Sequence, residues 1–334
     1  MALKKTVFGS KSEEDVFNHL NSIWGEKIKI YHNLPFYSII DKDTVDLKKY
    51  VSYVGKWKKI LLMTSVDFVI CNKKNKPLMC IEFDGMTGGY NKGTDVFQDR
   101  EDILRKKKLE LKLKIAKDEG LPFYIISYPE TTELKNTLSK SDIDSINLTV
   151  VDGIIGQTMK NTYLNDEIDK SLEDYNDYLD SMDTEWEKDE LIYNLVLDAD
   201  VKLEFEWDPI AIKAAVLEGV LSEKNIISTR GWRYLFKPEL PDAKLDVNNF
   251  FDIERLKRRI EAFKRAEWQG CEVYCDTPDG KIVRQVWIRN FEGTGASSIS
   301  IVENIADLLV FSEIAKKYGI EFPVDRFESI FNQD

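Results

Sequence analysis

The stretch that most constrains this chain is SVDFVICNKKNKPLMCIEFDG, Ser65 to Gly85. Two apolar runs of strand length flank a polar, lysine-rich turn, which reads as a β-hairpin. Asp67, Glu82 and Asp84 interrupt those runs. With the turn centred between Lys74 and Asn75, opposed residue numbers sum to 149 and Asp67 faces Glu82. Strand side chains alternate between faces, so Val66, Phe68, Ile81 and Phe83 share one face, and Asp67, Val69, Cys80, Glu82 and Asp84 share the other. Directly opposed side chains have Cβ atoms about 5 Å apart, where like charges repel. Two readings follow. Either this face meets water and the acids are ordinary surface residues, or a divalent cation lies between Asp67 and Glu82 and cancels their repulsion. A hard cation such as Mg²⁺, with Mn²⁺ as substitute, suits carboxylates, retained waters and substrate phosphates.

Around this hairpin the chain reads as an α/β layer structure. SKSEEDVFNHLNSIWG has the apolar spacing of an amphipathic helix. KIKIYHNLPF is a predicted strand, and GGYNKG a loop. A long charged helix is expected from about Val96 to Glu119, ending at Gly120. LPFYIISY reads as a buried strand and INLTVVDGIIG as another. Residues 1–155 thus form one expected domain. Between Asn161 and Glu190 there are 12 acidic residues against Lys170 and Lys188, so 156–195 reads as an acidic helical linker. Residues 196–334 read as a separate α+β domain. Its expected parts are a helix in WDPIAIKAAVLEGVL and a hairpin over GCEVYCDTPDGKIVRQVWIRNF. A last helix is capped by a Ser300/Glu303 box. FDIERLKRRIEAFKRAEW reads as a helix. Its cluster of Arg255, Lys257, Arg258, Arg259, Lys264 and Arg265 reads as an exposed face rather than a nucleic-acid contact. The glycines of FEGTGASSIS read as a plain loop-to-helix junction, since the lysine of a phosphate-binding loop is lacking.

Charge divides the molecule. The full chain carries −12, yet residues 1–140 hold 25 basic and 19 acidic residues and the rest holds 22 and 40. The basic half suits a polyanion; the acidic half suits a protein partner or a second copy. No apolar run approaches the length of a membrane span, and the N-terminus lacks an apolar signal segment. Cys71, Cys80, Cys271 and Cys275 form no CxxC, and His19 and His32 are the only histidines. A structural zinc site is not expected, and a reducing cytoplasm is.

VDFVI followed by IEFDG, behind the SEEDVFNHL helix and ahead of GLPFYIISY, resembles the PD-(D/E)XK nuclease superfamily. The likeness is nearest to the branch of very-short-patch-repair endonucleases. It covers about residues 10–130. It implies a restriction-endonuclease-like αβα core with a mixed sheet and a Mg²⁺-dependent nuclease acting on nucleic acid, DNA before RNA. By that resemblance Asp67 and Glu82 are metal ligands, joined by the Phe83 carbonyl, and Glu14 is the helix glutamate, with Glu13 as its alternative. The family's usual lysine position holds Asp84. The resemblance therefore looks for a substitute cation on the following helix, where Arg105, Lys108 and Lys112 share a face. Lys108 is the first choice and Lys112 the second. The histidine that often follows the Asp-Gly step is replaced by MTGGYNKG. In that stretch Tyr90 and Lys92 would border the substrate, with Lys56, Lys58 and Lys59 as further backbone contacts. The rival expectation is a nuclease-like fold without catalysis, acting as a binding or scaffold module.

Overall fold

The computed structural model describes residues 8, 11–40, 64–84, 90–91, 96–97, 103–127, 140–182, 184–237, 268–289 and 296–332. Internal contacts divide the chain into two units, Met1–Glu130 and Thr131–Asp334.

In the first unit, α1 (Lys11–Trp24) leads into β1 (Lys29–Pro35), followed by β2 (Ser65–Cys71) and β3 (Pro77–Asp84). A two-residue pair, β4 (Tyr90–Asn91) and β5 (Val96–Phe97), precedes α2 (Ile103–Asp118) and β6 (Phe123–Ser127). The sheet order is β1-β2-β3-β6. Its first two pairings are antiparallel and β3–β6 is parallel, so the sheet is mixed. A parallel neighbour needs a crossover, and α2 supplies it.

Both sheet faces are covered. His32 of β1 sits opposite Phe68 of β2, and their rings lie 5.6 Å apart. Phe8 and Phe17 also pack on His32, so α1 closes that face. On the other face Val69, Cys80 and Phe123 form one core with Leu109, Leu111, Ile115 and Ala116 of α2.

The second unit opens with α3 (Lys140–Asp174), a short α4 (Asn176–Asp180), α5 (Glu185–Trp207) and α6 (Pro209–Glu223). Strands β7 (Thr229–Lys237), β8 (Trp268–Thr277) and β9 (Gly280–Arg289) make an antiparallel sheet. Helices α7 (Ser298–Lys317) and α8 (Val324–Phe331) complete the unit.

Three expectations change here. INLTVVDGIIG is the middle of α3, not a strand. Its β-branched run sits in a helix because residues 150–160 are buried against neighbouring helices, and tertiary burial overrides local preference. Gly156 permits that packing: a Cβ there would lie 2.6 Å from the Trp207 carbonyl oxygen. The boundary near 155 also moves, because α3 belongs wholly to the second unit. Nor are residues 156–195 a linker. The rest of α3 packs along α5, and Lys160 ties it to Asp200 and Glu204 in the later turns of α5 at 2.8 and 3.2 Å.

The cap of α7 shifts as well. Ser297, not Ser300, is the N-cap, and its hydroxyl oxygen accepts from the Ser300 amide. Glu303 instead accepts from the Tyr234 hydroxyl at 2.6 Å. The expected α6 and β8–β9 hairpin stand as read, with Thr277 paired to Gly280 across the turn. The predicted helix over 251–268 lies outside the described residues up to Trp268, which begins β8.

Candidate functional site

The site grows from the β2–β3 register. Phe68 pairs with Ile81, Val69 with Cys80 and Ile70 with Met79, all summing to 149. A shift between Ile70 and Cys71 absorbs one residue before the turn. In the turn, Asn72 Oδ1 accepts from the amides of Lys74 and Lys76, while Asn75 takes a left-handed φ of 65°. Asparagine tolerates that conformation better than most residues. The recorded pairing ends at Phe68–Ile81, and the same register carried one step further would set Asp67 against Glu82. On β6, Ile125 lies beside Glu82 and Phe123 beside Cys80.

These carboxylates face α2, not open water. Lys112 reaches down from α2, and its Nζ donates to Glu82 Oε1 and, at 3.0 Å, to the Ser65 carbonyl oxygen. The lysine side chain is 6% exposed and that of Glu82 18%. The Phe123 ring lies 5.8 Å from the ammonium. Burial pushes the Lys112 pKa down to about 8, and the negative charge of Asp67 opposes that fall. Burial also drives the neighbouring Cys80 thiol up to about 12, so it is an inert core group. Two acids and one buried ammonium thus share the α2 side of the sheet.

The geometry answers why the hairpin tolerates opposed acids. A dry carboxylate pair is costly. A charge-assisted hydrogen bond from Lys112 to one member and its field on the other offset that cost.

The remaining expected site residues fall as follows. Lys108 is half-buried one turn earlier, while Lys112 holds the contact with Glu82. Glu14 pairs with Lys11 at 3.4 Å on α1. Its alternative, Glu13, lies 3.5 Å from His32, and His32 packs on the opposite side of the sheet from Lys112. Both acids belong to the helix that packs on the His32 side of the sheet. Phe83 and Asp84 close β3 beside Ile126 and Ser127, Tyr90 lies in β4, and Arg105 lies in α2. The side chains of these four fall outside the described part. Lys92, Lys56, Lys58 and Lys59 fall outside it altogether.

As a donor set, Asp67 and Glu82 offer hard oxygens of the type that Mg²⁺ takes. Among the described residues no group of three or more His, Cys, Asp or Glu is placed to hold a metal ion. The donors here are two carboxylates, and Lys112 already rests on one of them.

Among the described residues no helix is long and apolar enough to cross a membrane. Residues 4–141 match a family described as a protein of unknown function, DUF2726. The match covers the first unit and the start of α3. A poly(glycerol-phosphate) alpha-glucosyltransferase of Bacillus subtilis (strain 168) is 31% identical over 97 residues. That similarity takes in 28% of this chain and 14% of the relative's length. No solved structure matches the chain.

Proposed function

We propose that the first unit is a divalent-metal-dependent phosphodiesterase acting on nucleic acid in the cytoplasm, DNA before RNA. The observation that supports this reading best is Lys112: a buried ammonium from the crossover helix meets the acids of two adjacent central strands. A phosphodiester-cleaving site needs those two charges together. In the PD-(D/E)XK pattern that the sequence resembles, the lysine stands on the strand, where this chain has Asp84. Here Lys112 takes its place from the helix.

Asp67 and Glu82 would hold Mg²⁺, which supplies an activated water and stabilises the leaving oxygen. Lys112 donates to a non-bridging phosphate oxygen as negative charge builds there, with Ser65 keeping the side chain aligned. The core above Lys112 excludes water and strengthens that interaction. The basic first 140 residues draw in the polyanion.

A second reading has its own support. Glu82 is already engaged by Lys112, and Asp84 replaces the usual lysine, which suits a phosphate-polymer binding module without catalysis. The relative's name includes poly(glycerol-phosphate), so that polymer belongs in the assay beside nucleic acids.

The test is a cleavage panel of double-stranded DNA, single-stranded DNA, RNA and poly(glycerol phosphate), each with Mg²⁺, Mn²⁺ or chelator. Metal-dependent cleavage that Asp67→Asn and Glu82→Gln both abolish is the expected outcome. Binding without cleavage under every condition favours the second reading. Cleavage that survives both substitutions overturns the first.

A further inference from the structure

Helix α5 carries a stripe of large apolar side chains on its outer side. Trp186, Tyr193, Leu197, Val201 and Phe205 are between 43% and 70% exposed. From Tyr193 onward the spacing is four residues, so these side chains follow one another along one face. The helix is anchored through its opposite face, where Leu195, Ala199 and Leu203 are buried. The stripe therefore lies outside the core of this unit. An apolar strip of this length on a folded surface is the signature of an interaction site.

Charge decides what fits it. The helix holds eight acidic residues against Lys188 and Lys202. Asp189 and Glu190 each stand three or four residues from both Trp186 and Tyr193, and Asp198 stands three before Val201. All three acids are exposed, and among the described residues none has a cationic partner. The two lysines are engaged elsewhere, Lys188 with Glu185 and Lys202 with Glu167 of α3. The stripe is thus apolar along its length and negative along its margins. A nucleic acid or an anionic membrane would meet uncompensated repulsion there. A second copy of α5 would set like charge against like charge. A helix face also has no free backbone groups for an added strand to pair with. A ridge of side chains four residues apart does interlock with the like ridge of another helix, the commonest helix–helix contact.

We propose that the outer face of α5 docks a basic amphipathic helix of a partner protein. Apolar side chains of that helix seat among Tyr193, Leu197, Val201 and Phe205, and its lysines or arginines meet Asp189, Glu190 and Asp198. From Trp186 to Phe205 the face is about 28 Å long, enough for several turns of a partner helix. The apolar contact supplies the affinity, and the marginal acids select the sign of the partner and speed its approach. The site does not depend on the chemistry of the Asp67–Glu82–Lys112 group.

The experiment uses the full chain and a synthetic peptide of leucine and lysine patterned as a helix with one apolar and one basic face. One control peptide has glutamate for lysine; the other has its leucines reordered so that no apolar face forms. In fluorescence-anisotropy titrations the basic amphipathic peptide should bind one to one and more tightly than either control. Tyr193→Ser combined with Val201→Ser should weaken it by about tenfold or more, as loss of central apolar anchors does, with the helical circular dichroism unchanged. Asp189→Asn combined with Glu190→Gln should weaken it and flatten its salt dependence. The native cysteines are all buried, so Val201→Cys reports on the stripe. It should react with a thiol reagent as an exposed cysteine in the free chain and more slowly once the peptide is bound. No binding, equal binding of the acidic peptide, or binding indifferent to the stripe substitutions overturns the proposal. So does slow reaction of Val201→Cys in the free chain, self-association that the stripe substitutions abolish, or tighter binding to anionic phospholipid vesicles than to the peptide.

Discussion

Each unit of this protein buries a cation among carboxylates, and the two arrangements differ in kind. In the second unit, Arg230 of β7 grips Asp307 of α7 with two nitrogens, and Glu218 lies 3.4 Å away. Its guanidinium also stands over Trp232 and Phe311. Tyr234 occupies Glu303. Arginine does not give up its proton, and its planar fork suits paired contacts. That cluster is a clamp between sheet and helix. In the first unit, Lys112 meets Glu82 and a carbonyl while Asp67 feels its charge. The lysine is a single-point donor on a flexible stem and its pKa is pushed down to about 8. The clamp holds paired acids with a planar fork, whereas the lysine site rests on a single-point donor shared between Glu82 and a carbonyl.

The comparison breaks most visibly through activity. Asp67→Asn and Glu82→Gln are expected to reduce metal-dependent cleavage to the level seen with chelator in folded protein, Glu82→Gln also lowering the unfolding midpoint because it leaves the buried Lys112 ammonium without its charged partner. Asp307→Ala is expected to spare cleavage. Removing one partner of a buried pair costs about 3–5 kcal/mol, read as a lowered denaturation midpoint, with cleavage per folded molecule unchanged. If Asp307→Ala abolished cleavage in folded protein, the division of roles would fail.

Acidity sharpens the contrast next. Folding lowers the Lys112 pKa from 10.5 to about 8. Between those values the unfolded chain keeps a proton that the folded chain has shed, so this residue makes stability rise with pH across that window. Its share is up to about 3 kcal/mol. In denaturant titrations, the difference between wild type and Lys112→Met should change across pH 8–10.5. A difference independent of pH there would contradict the buried-ammonium account.

A smaller effect is expected at Asp208, the buried N-cap of α6. It accepts from the Ile210 and Ala211 amides at 2.9 and 3.1 Å and from Asn304. Asp208→Ala should cost about 1–2 kcal/mol in chemical denaturation. Cleavage should not change.

Much of the first unit was legible in the sequence, because period-two alternation fixes both register and face. The pairing of residues 68–70 with 79–81 follows from the turn position alone, even though the structure places a shift beside it. The identity of the helix lysine was harder. Arg105, Lys108 and Lys112 share a face, and spacing does not say which turn lies above the acids. A finer signal was present: of those three, Lys112 is the one set between Leu109 and Leu111 on one side and Ile115 and Ala116 on the other, all of which the fold buries. The α1 glutamates were placed by resemblance, and the sheet puts them on its far side. INLTVVDGIIG misled because β-branched residues and glycines suit a strand. In the fold the same glycines let a long helix approach its neighbours. Aromatic exposure along α5 was invisible, since exposure depends on what each helix face meets.

The most direct measurement compares Mg²⁺-dependent cleavage by Lys112→Met and Lys108→Met. Loss of a charge-stabilising donor typically costs about 10²–10³ in rate. Lys112→Met should show a loss of that size and Lys108→Met a near-normal rate. Full activity in Lys112→Met, or an equal loss in both variants, would contradict the account.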